Sequence, residues 1–231
     1  MTERNAGGLD VDLGLRFRVE TEPKIIRGHA LDLLRDFHHK PNLIITDPPY
    51  AFGGSGDEHA ISATVAIVLR ESARRLSDGG WMIVFSASSW RSQAYMVESL
   101  RGVLTPVRTG TWVKPQTRGK TRTPGWGWAS VSAIAFRRGK SAAIPPSELP
   151  DWICCPPVMH GRRAEMPPEV CDWAVEPYCQ AGGLAFDPFA GSGALVRSAH
   201  RFGMRSIGFE LNPNDTTERA RQLPLQLKGD D

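Results

Sequence analysis

Short unbroken apolar runs alternate along this chain with longer stretches in which apolar residues return every three or four positions. The runs are too short for helices and read as strands buried on both faces, and the periodic stretches read as helices with one apolar side. The pattern predicts a strand at residues 24–27, a helix over 30–38 carrying Leu31, Leu34 and Phe37 inward, and a strand at 43–46. A helix over 61–76 follows, with Val65, Val68, Leu69 and Leu76 inward, and Gly79-Gly80 stops it. A strand at 81–85 and a helix over 89–100 come next. Strands at 108–113 and 131–137 are separated by a segment rich in Gly, Pro and Thr, so they read as a hairpin. Residues 141–168 hold seven prolines and little periodicity, which reads as irregular connection. The chain then predicts a helix over 168–180, a strand at 184–187, a helix over 194–202 and a strand at 205–210, with a polar tail after Asn214. Alternating β and α with buried strands argues an α/β fold, a mostly parallel sheet covered on both faces, which the hairpin makes mixed.

A chain of 231 residues suits one domain with a full core. No apolar stretch is long enough to cross a bilayer. Met1 to Asp10 carries both charge signs and no apolar core, which predicts no signal peptide and a cytoplasmic protein. Cys154, Cys155, Cys171 and Cys179 form no C-x-x-C pair and read as reduced thiols, so no metal site is expected.

Charge changes the picture by its distribution. Between Glu98 and Glu148 the sequence has no acidic residue and nine basic ones, so of a net charge of +3 the remainder of the chain carries 3 − 9 = −6. A cationic segment on an acidic protein suits a polyanion. Trp112, Trp126 and Trp128 lie among these charges, and indole rings stack on bases, so nucleic acid is the expected partner. Lys114, Arg118, Lys120, Arg122, Trp126, Trp128, Arg137 and Arg138 are the candidate nucleic-acid-contacting residues.

Two polar turns close predicted strands. Asp47-Pro48-Pro49-Tyr50 follows the strand at 43–46 and leads into a loop containing Gly53-Gly54-Ser55-Gly56. Two prolines make the first turn rigid, and the tyrosine gives it an aromatic tip. Asp187-Pro188-Phe189-Ala190-Gly191-Ser192-Gly193 closes the strand at 184–187 and opens a helix. Glycines there let a ligand approach the backbone and the free amides of a helix start. Glu210, seventeen residues past Gly193 at the end of the next strand, fits an acid that accepts hydrogen bonds from ribose hydroxyls. Neither glycine-rich loop is followed by a Walker lysine, which argues against a triphosphate site.

In this order the two motifs resemble those of the β-class, circularly permuted DNA amino-methyltransferases. Thr111-Trp112-Val113-Lys114-Pro115 resembles that family's W-x-K-P segment, and the stretch from His160 to Pro167 its H-P-x-x-x-x-P segment, here with Gly161 after the histidine. Gly28-His29-Ala30-Leu31 stands where the family carries G-D-x-L, so His29, or Asp32 in its stead, would face the cofactor's adenine. The resemblance covers about residues 24–213. It implies a Rossmann-like sheet of seven strands with the two motif strands side by side at its centre. It implies a domain over 24–214 with a small basic target-recognition segment at about 114–158, between tails at 1–23 and 215–231.

The family's activity is methyl transfer from S-adenosylmethionine to an exocyclic amine of a DNA base. The resemblance assigns catalysis to Asp47, Pro48, Pro49 and Tyr50. Asp47 and the Pro48 carbonyl would accept the two amine hydrogens, and Tyr50 would stack on the extruded base. It assigns the cofactor to His29, Asp187, Pro188, Phe189, Ala190, Gly191, Ser192, Gly193, Glu210 and Asn212. Aspartate at the head of the first motif leans toward adenine N6. Cytosine N4, an RNA substrate and a non-catalytic nucleic-acid-binding module are the alternatives. A prokaryotic or phage host follows from the family, and a homodimer is left open.

Overall fold

The computed structural model describes residues 22–49, 58–115, 129–139, 147–158 and 165–211. Within them lie eight strands and five helices: β1 (Lys24–Arg27), α1 (Ala30–Asp36), β2 (Leu43–Thr46), α2 (Glu58–Arg75), β3 (Trp81–Ala87), α3 (Trp90–Ser99), β4 (Thr105–Val113), β5 (Ser130–Arg137), β6 (Trp152–Cys154), α4 (Pro168–Val175), β7 (Leu184–Asp187), α5 (Ala194–Arg201) and β8 (Arg205–Glu210). A 3₁₀ turn, Glu176–Tyr178, ends the segment that the sequence reads as one helix over 168–180, where Pro177 removes an amide donor.

All eight strands form one sheet in the order β1-β8-β7-β2-β3-β5-β4-β6. The left part, from β1 to β3, is parallel throughout. β5 pairs antiparallel with β3 and with β4, so the expected hairpin exists and the sheet is mixed. The eighth strand corrects the expectation of seven. β6 lies in the proline-rich stretch read as irregular, and it adds parallel to β4 through Thr111–Val113. Three residues between prolines leave no alternation to detect. The strand exists because the edge of β4 offers it backbone partners, and Trp112 locks it by donating its indole N–H to the Cys155 carbonyl at 2.7 Å.

Strand residues sort by parity into two cores. Ile44, Met82, Val84, Phe186 and Phe209 meet α1, α2 and α3 on one face. Leu43, Ile45, Ile83, Phe85 and Ala185 meet α4 and α5 on the other. Every residue of β2, β3 and β7 is buried, as unbroken apolar runs require. The inward set expected for the second helix, Val65, Val68, Leu69 and Leu76, is buried. Arg75 of α2 closes the end of α1 by donating to the carbonyls of Leu34 and Phe37. Among the described residues no helix is long and apolar enough to cross a membrane.

Phe37, Phe186 and Phe209 form a fully buried triad whose centroids lie 4.6–5.3 Å apart. It ties α1 to the two strands that carry the glycine turn and Glu210. Truncation of Phe186 to alanine is expected to cost about 3–5 kcal/mol, read as a lowered urea midpoint. A loss below about 1 kcal/mol would show that the triad contributes little.

Candidate active site

β2 and β7 are parallel neighbours in the middle of the sheet, so their C-terminal ends point the same way. Asp47-Pro48-Pro49 leaves one end and Pro188-Phe189-Ala190 the other. The two polar turns, far apart in sequence, therefore open at the same edge, the place where α/β sheets hold ligands. A direct bond joins the two strand ends: the Thr46 hydroxyl donates to Asp187 Oδ1 at 2.6 Å across 141 residues of sequence. The same oxygen accepts the Phe189 amide at 2.9 Å, which folds the glycine turn back on its own strand.

The glycine turn lies flat against β8. The Ala190 amide donates to the Phe209 carbonyl at 2.9 Å, and the Gly191 amide donates to Glu210 Oε2 at 2.8 Å. This approach needs a glycine at 208, because a β-carbon there would fall 2.5 Å from that of Ala190. Gly193 opens α5 at φ 81°, a left-handed value that favours glycine, and a β-carbon there would strike the Ile25 side chain at 2.4 Å.

A cleft of about 570 Å³, measured out to solvent, runs between these turns and helices α1 and α2. Gly28, His29, Ala30, Pro49, Thr64, Val68, Pro188, Phe189, Phe209, Glu210 and Leu211 line it. Pro49 from the first motif and Pro188, Phe189 and Glu210 from the second thus share one wall system. Glu210 is buried, and its backbone carbonyl accepts the Gly28 amide at 2.9 Å, which draws the start of α1 to the cleft. His29 lies on that wall as the residue before α1, with no capping hydrogen bond from its side chain. Asp32, read as standing in for His29, is not among the lining residues; it is exposed and paired to Arg35 at 3.4 Å.

Asp47 is half-buried, and Pro48 behind it is buried. Its charge acts on Lys114 and on Asp187. Burial pulls the Lys114 ammonium below its ordinary range, and the negative charge of Asp47 works against that shift. Lys114 also sits 4.4 Å over the Trp112 ring. Burial lifts the Asp187 carboxyl to about 7 despite the hydrogen bonds from Thr46 and Phe189, and the nearby charges of Asp47 and Glu210 push in the same upward direction.

Other expected site residues are not gathered here. Arg137 and Arg138 end β5 opposite Trp81, the first residue of β3, and so lie at the far end of the sheet from both turns. Arg138 donates to the Ala73 and Arg74 carbonyls at the end of α2. Trp112, expected among base-stacking aromatics, is buried in the core. Tyr50, Arg118, Lys120, Arg122, Trp126, Trp128, His160 and Asn212 lie outside the described residues. The site also contains residues that the sequence reading passed over. Thr46 falls at the end of the strand expected at 43–46 and Thr64 within the helix expected over 61–76; a polar residue adjoining an apolar run was the available signal.

Comparison with known proteins adds to this geometry. A family model described as DNA methylase, of the N6/N4 type, matches residues 158–218, the stretch that carries α4, β7, the glycine turn, α5 and β8. The resemblance read from the motifs is matched there. No curated protein matches the chain. Among solved structures, M1.HpyAVI in complex with SAM is 20% identical with a TM-score of 0.65, covering 82% of this chain and 92% of its own. TTHA0409 from Thermus thermophilus, complexed with S-adenosyl-L-methionine, is 21% identical at TM-score 0.65, covering 83% and 90%. The cytosine-N4-specific PvuII DNA methyltransferase is 16% identical at TM-score 0.65, covering 82% of each. The mixed α/β sheet of this chain has the fold of these structures.

The raised carboxyl of Asp187 has a consequence for stability. Between its unfolded value near 4 and its folded value of about 7, the folded protein holds the proton more tightly than the unfolded chain. This group therefore contributes stability at low pH that is lost as pH rises through that window, at up to about 1.4 kcal/mol per pH unit. Unfolding free energies measured in urea from pH 4.5 to 8 are expected to give a wild-type minus Asp187→Asn difference that falls with pH and flattens above about 7. A difference that rises with pH would mean that the carboxylate is the form the fold prefers.

Proposed function

We propose that this protein is a DNA methyltransferase of the N6/N4 amino class, transferring a methyl group from S-adenosylmethionine to the exocyclic N6 of adenine. The observation that carries the reading is the shared cleft: Pro49 of the Asp-Pro-Pro turn and Pro188, Phe189 and Glu210 of the glycine turn line one cavity. The DNA methylase family model over residues 158–218 and the ligands named for M1.HpyAVI and TTHA0409 support the same reading.

The cleft suits the cofactor. Its walls are mainly apolar, as a purine ring requires, and its polar end carries a buried carboxylate that fits ribose hydroxyls. Glu210 and His29, with Phe189 and the backbone of Pro188 to Gly193, would hold it. When bound, S-adenosylmethionine supplies an electrophilic methyl group on a sulfonium centre. The protein's own part is to present the amine. Its lone pair is delocalised into the base, so the site must draw it out and aim it. Asp47 accepts one N–H and the Pro48 carbonyl the other, which favours a tetrahedral nitrogen and offsets the positive charge that grows on it. Pro48 and Pro49 fix the direction of the carbonyl. The basic residues at 114–122 face the nucleic acid in this reading, and the target base leaves the duplex to reach Asp47.

Adenine is preferred because Asp47 heads the motif. Cytosine N4 is the second reading: the cytosine-N4-specific PvuII enzyme shares this fold. Incubation of the protein with labelled S-adenosylmethionine and duplex DNA, followed by mass spectrometry of the nucleosides, is expected to yield N6-methyladenine. N4-methylcytosine would transfer the assignment to the second reading, and no methylated nucleoside with DNA or RNA would remove both. Asp47→Ala is expected to lower turnover at least ~100-fold while DNA affinity in a mobility-shift assay stays within about threefold. Persistent labelling by that variant would show that another group holds the amine.

A further inference from the structure

We propose that Thr46 is a positioning residue for methyl transfer, a buried tie that sets the distance between the turn presenting the amine and the turn holding the donor. The inference rests on the methyl-transfer reading and adds a residue that the motifs do not contain.

Thr46 is wholly buried, and its hydroxyl donates to Asp187 Oδ1 at 2.6 Å. The two residues sit where the sheet stops and the functional turns begin, with Asp47 next to Thr46 and Pro188 next to Asp187. Ladder pairing between the two strands ends at Leu43↔Ala185 and Ile44↔Phe186. Beyond that point the strands are joined by the side-chain bond rather than by the ladder. The Asp187 oxygen that receives the hydroxyl also receives the Phe189 amide, so one atom references both turns. Prolines stiffen each turn from within, yet stiffness alone leaves the separation of the turns unset. A displacement of about 1 Å between reacting groups costs on the order of a hundredfold in rate. A short bond between fully buried partners is well placed to prevent it.

The substitutions follow from the chemistry. Thr46→Val keeps the shape and the β-branch and removes the donor; Thr46→Ser keeps the donor. The Phe189 amide still holds the glycine turn in both variants, so donor binding and amine presentation separate. With DNA substrate, Thr46→Val is expected to lower kcat about tenfold or more, with KM for S-adenosylmethionine within about threefold, and Thr46→Ser is expected to recover most of the loss.

A second readout needs no turnover. Sinefungin carries an amino-bearing carbon where the donor has its sulfonium methyl, and S-adenosylhomocysteine carries nothing there. The ratio of their affinities, measured by calorimetry, reports how the catalytic turn meets that position. The ratio is expected to change by about tenfold in Thr46→Val and to return in Thr46→Ser, while S-adenosylhomocysteine binds both variants as it binds the wild type. An unchanged ratio with unchanged kcat overturns the inference and leaves the methyl-transfer reading intact. Equal impairment of the valine and serine variants also overturns it, because the donor would then not be what matters. Binding of neither analogue by the wild type removes the functional reading and the inference with it.

Discussion

The parallel contact between β2 and β7 is the constraint on which the rest of the molecule depends. Strands at the middle of a sheet covered on both faces have no side exposed to water, so their residues are apolar and their chemistry is displaced to their ends. Both strands run the same way, and both ends therefore deliver their polar turns to one edge. The Thr46–Asp187 bond then ties the two strand ends together, and the close approach of Ala190 to Gly208 holds the glycine turn against β8.

The edge so formed concentrates negative charge. Asp47, Asp187 and Glu210 converge from three adjacent strand ends, and each is managed differently. Asp187 accepts a hydroxyl and an amide and still has its carboxyl raised by burial. Glu210 accepts the Gly191 amide. Asp47 acts on the ammonium of Lys114. Glu210 lines the cleft, and Asp47 and Asp187 stand at the neighbouring strand ends, a set that favours a cation over an anion, which agrees with the proposed positively charged methyl donor and with the absence of a Walker lysine from either glycine-rich loop. Lys114 stands at the border of this acidic site.

Much of this was legible in the sequence, for identifiable reasons. β1, β2, β7 and β8 have the boundaries expected from their apolar runs, because polar residues bracket each run: Lys24 and Arg27 flank the apolar pair of β1, and Thr46, Asp187 and Glu210 close β2, β7 and β8. The neighbouring position of the two motif strands was expected from motif order and the resemblance together; neither strand periodicity nor spacing contains it. β6 was missed because edge pairing by backbone needs no side-chain pattern. Trp112 and Lys114 lie close in sequence and were assigned alike to DNA, yet the fold sends the indole into the core and leaves the ammonium near Asp47. Arg137 and Arg138 were grouped with Lys114 by charge alone, and the antiparallel return of β5 carries them to the other end of the sheet. Composition reads charge along the chain; only topology decides which charges share a face.

The order in which the strands appear along the chain bears on how the molecule is assembled. β7 lies between β2 and β8, and β1 pairs with β8, so the left half of the sheet gains its central strand only when residues 184–210 emerge from the ribosome. Until then β1 has no neighbour and β2 presents an apolar edge with open hydrogen-bonding groups, a template for unwanted pairing. Helices α1, α2 and α3 can gather on β2 and β3 early, but the wall carrying Phe186 and Phe209 arrives last. Synthesis thus completes the cleft and closes the hydrophobic core in the same event.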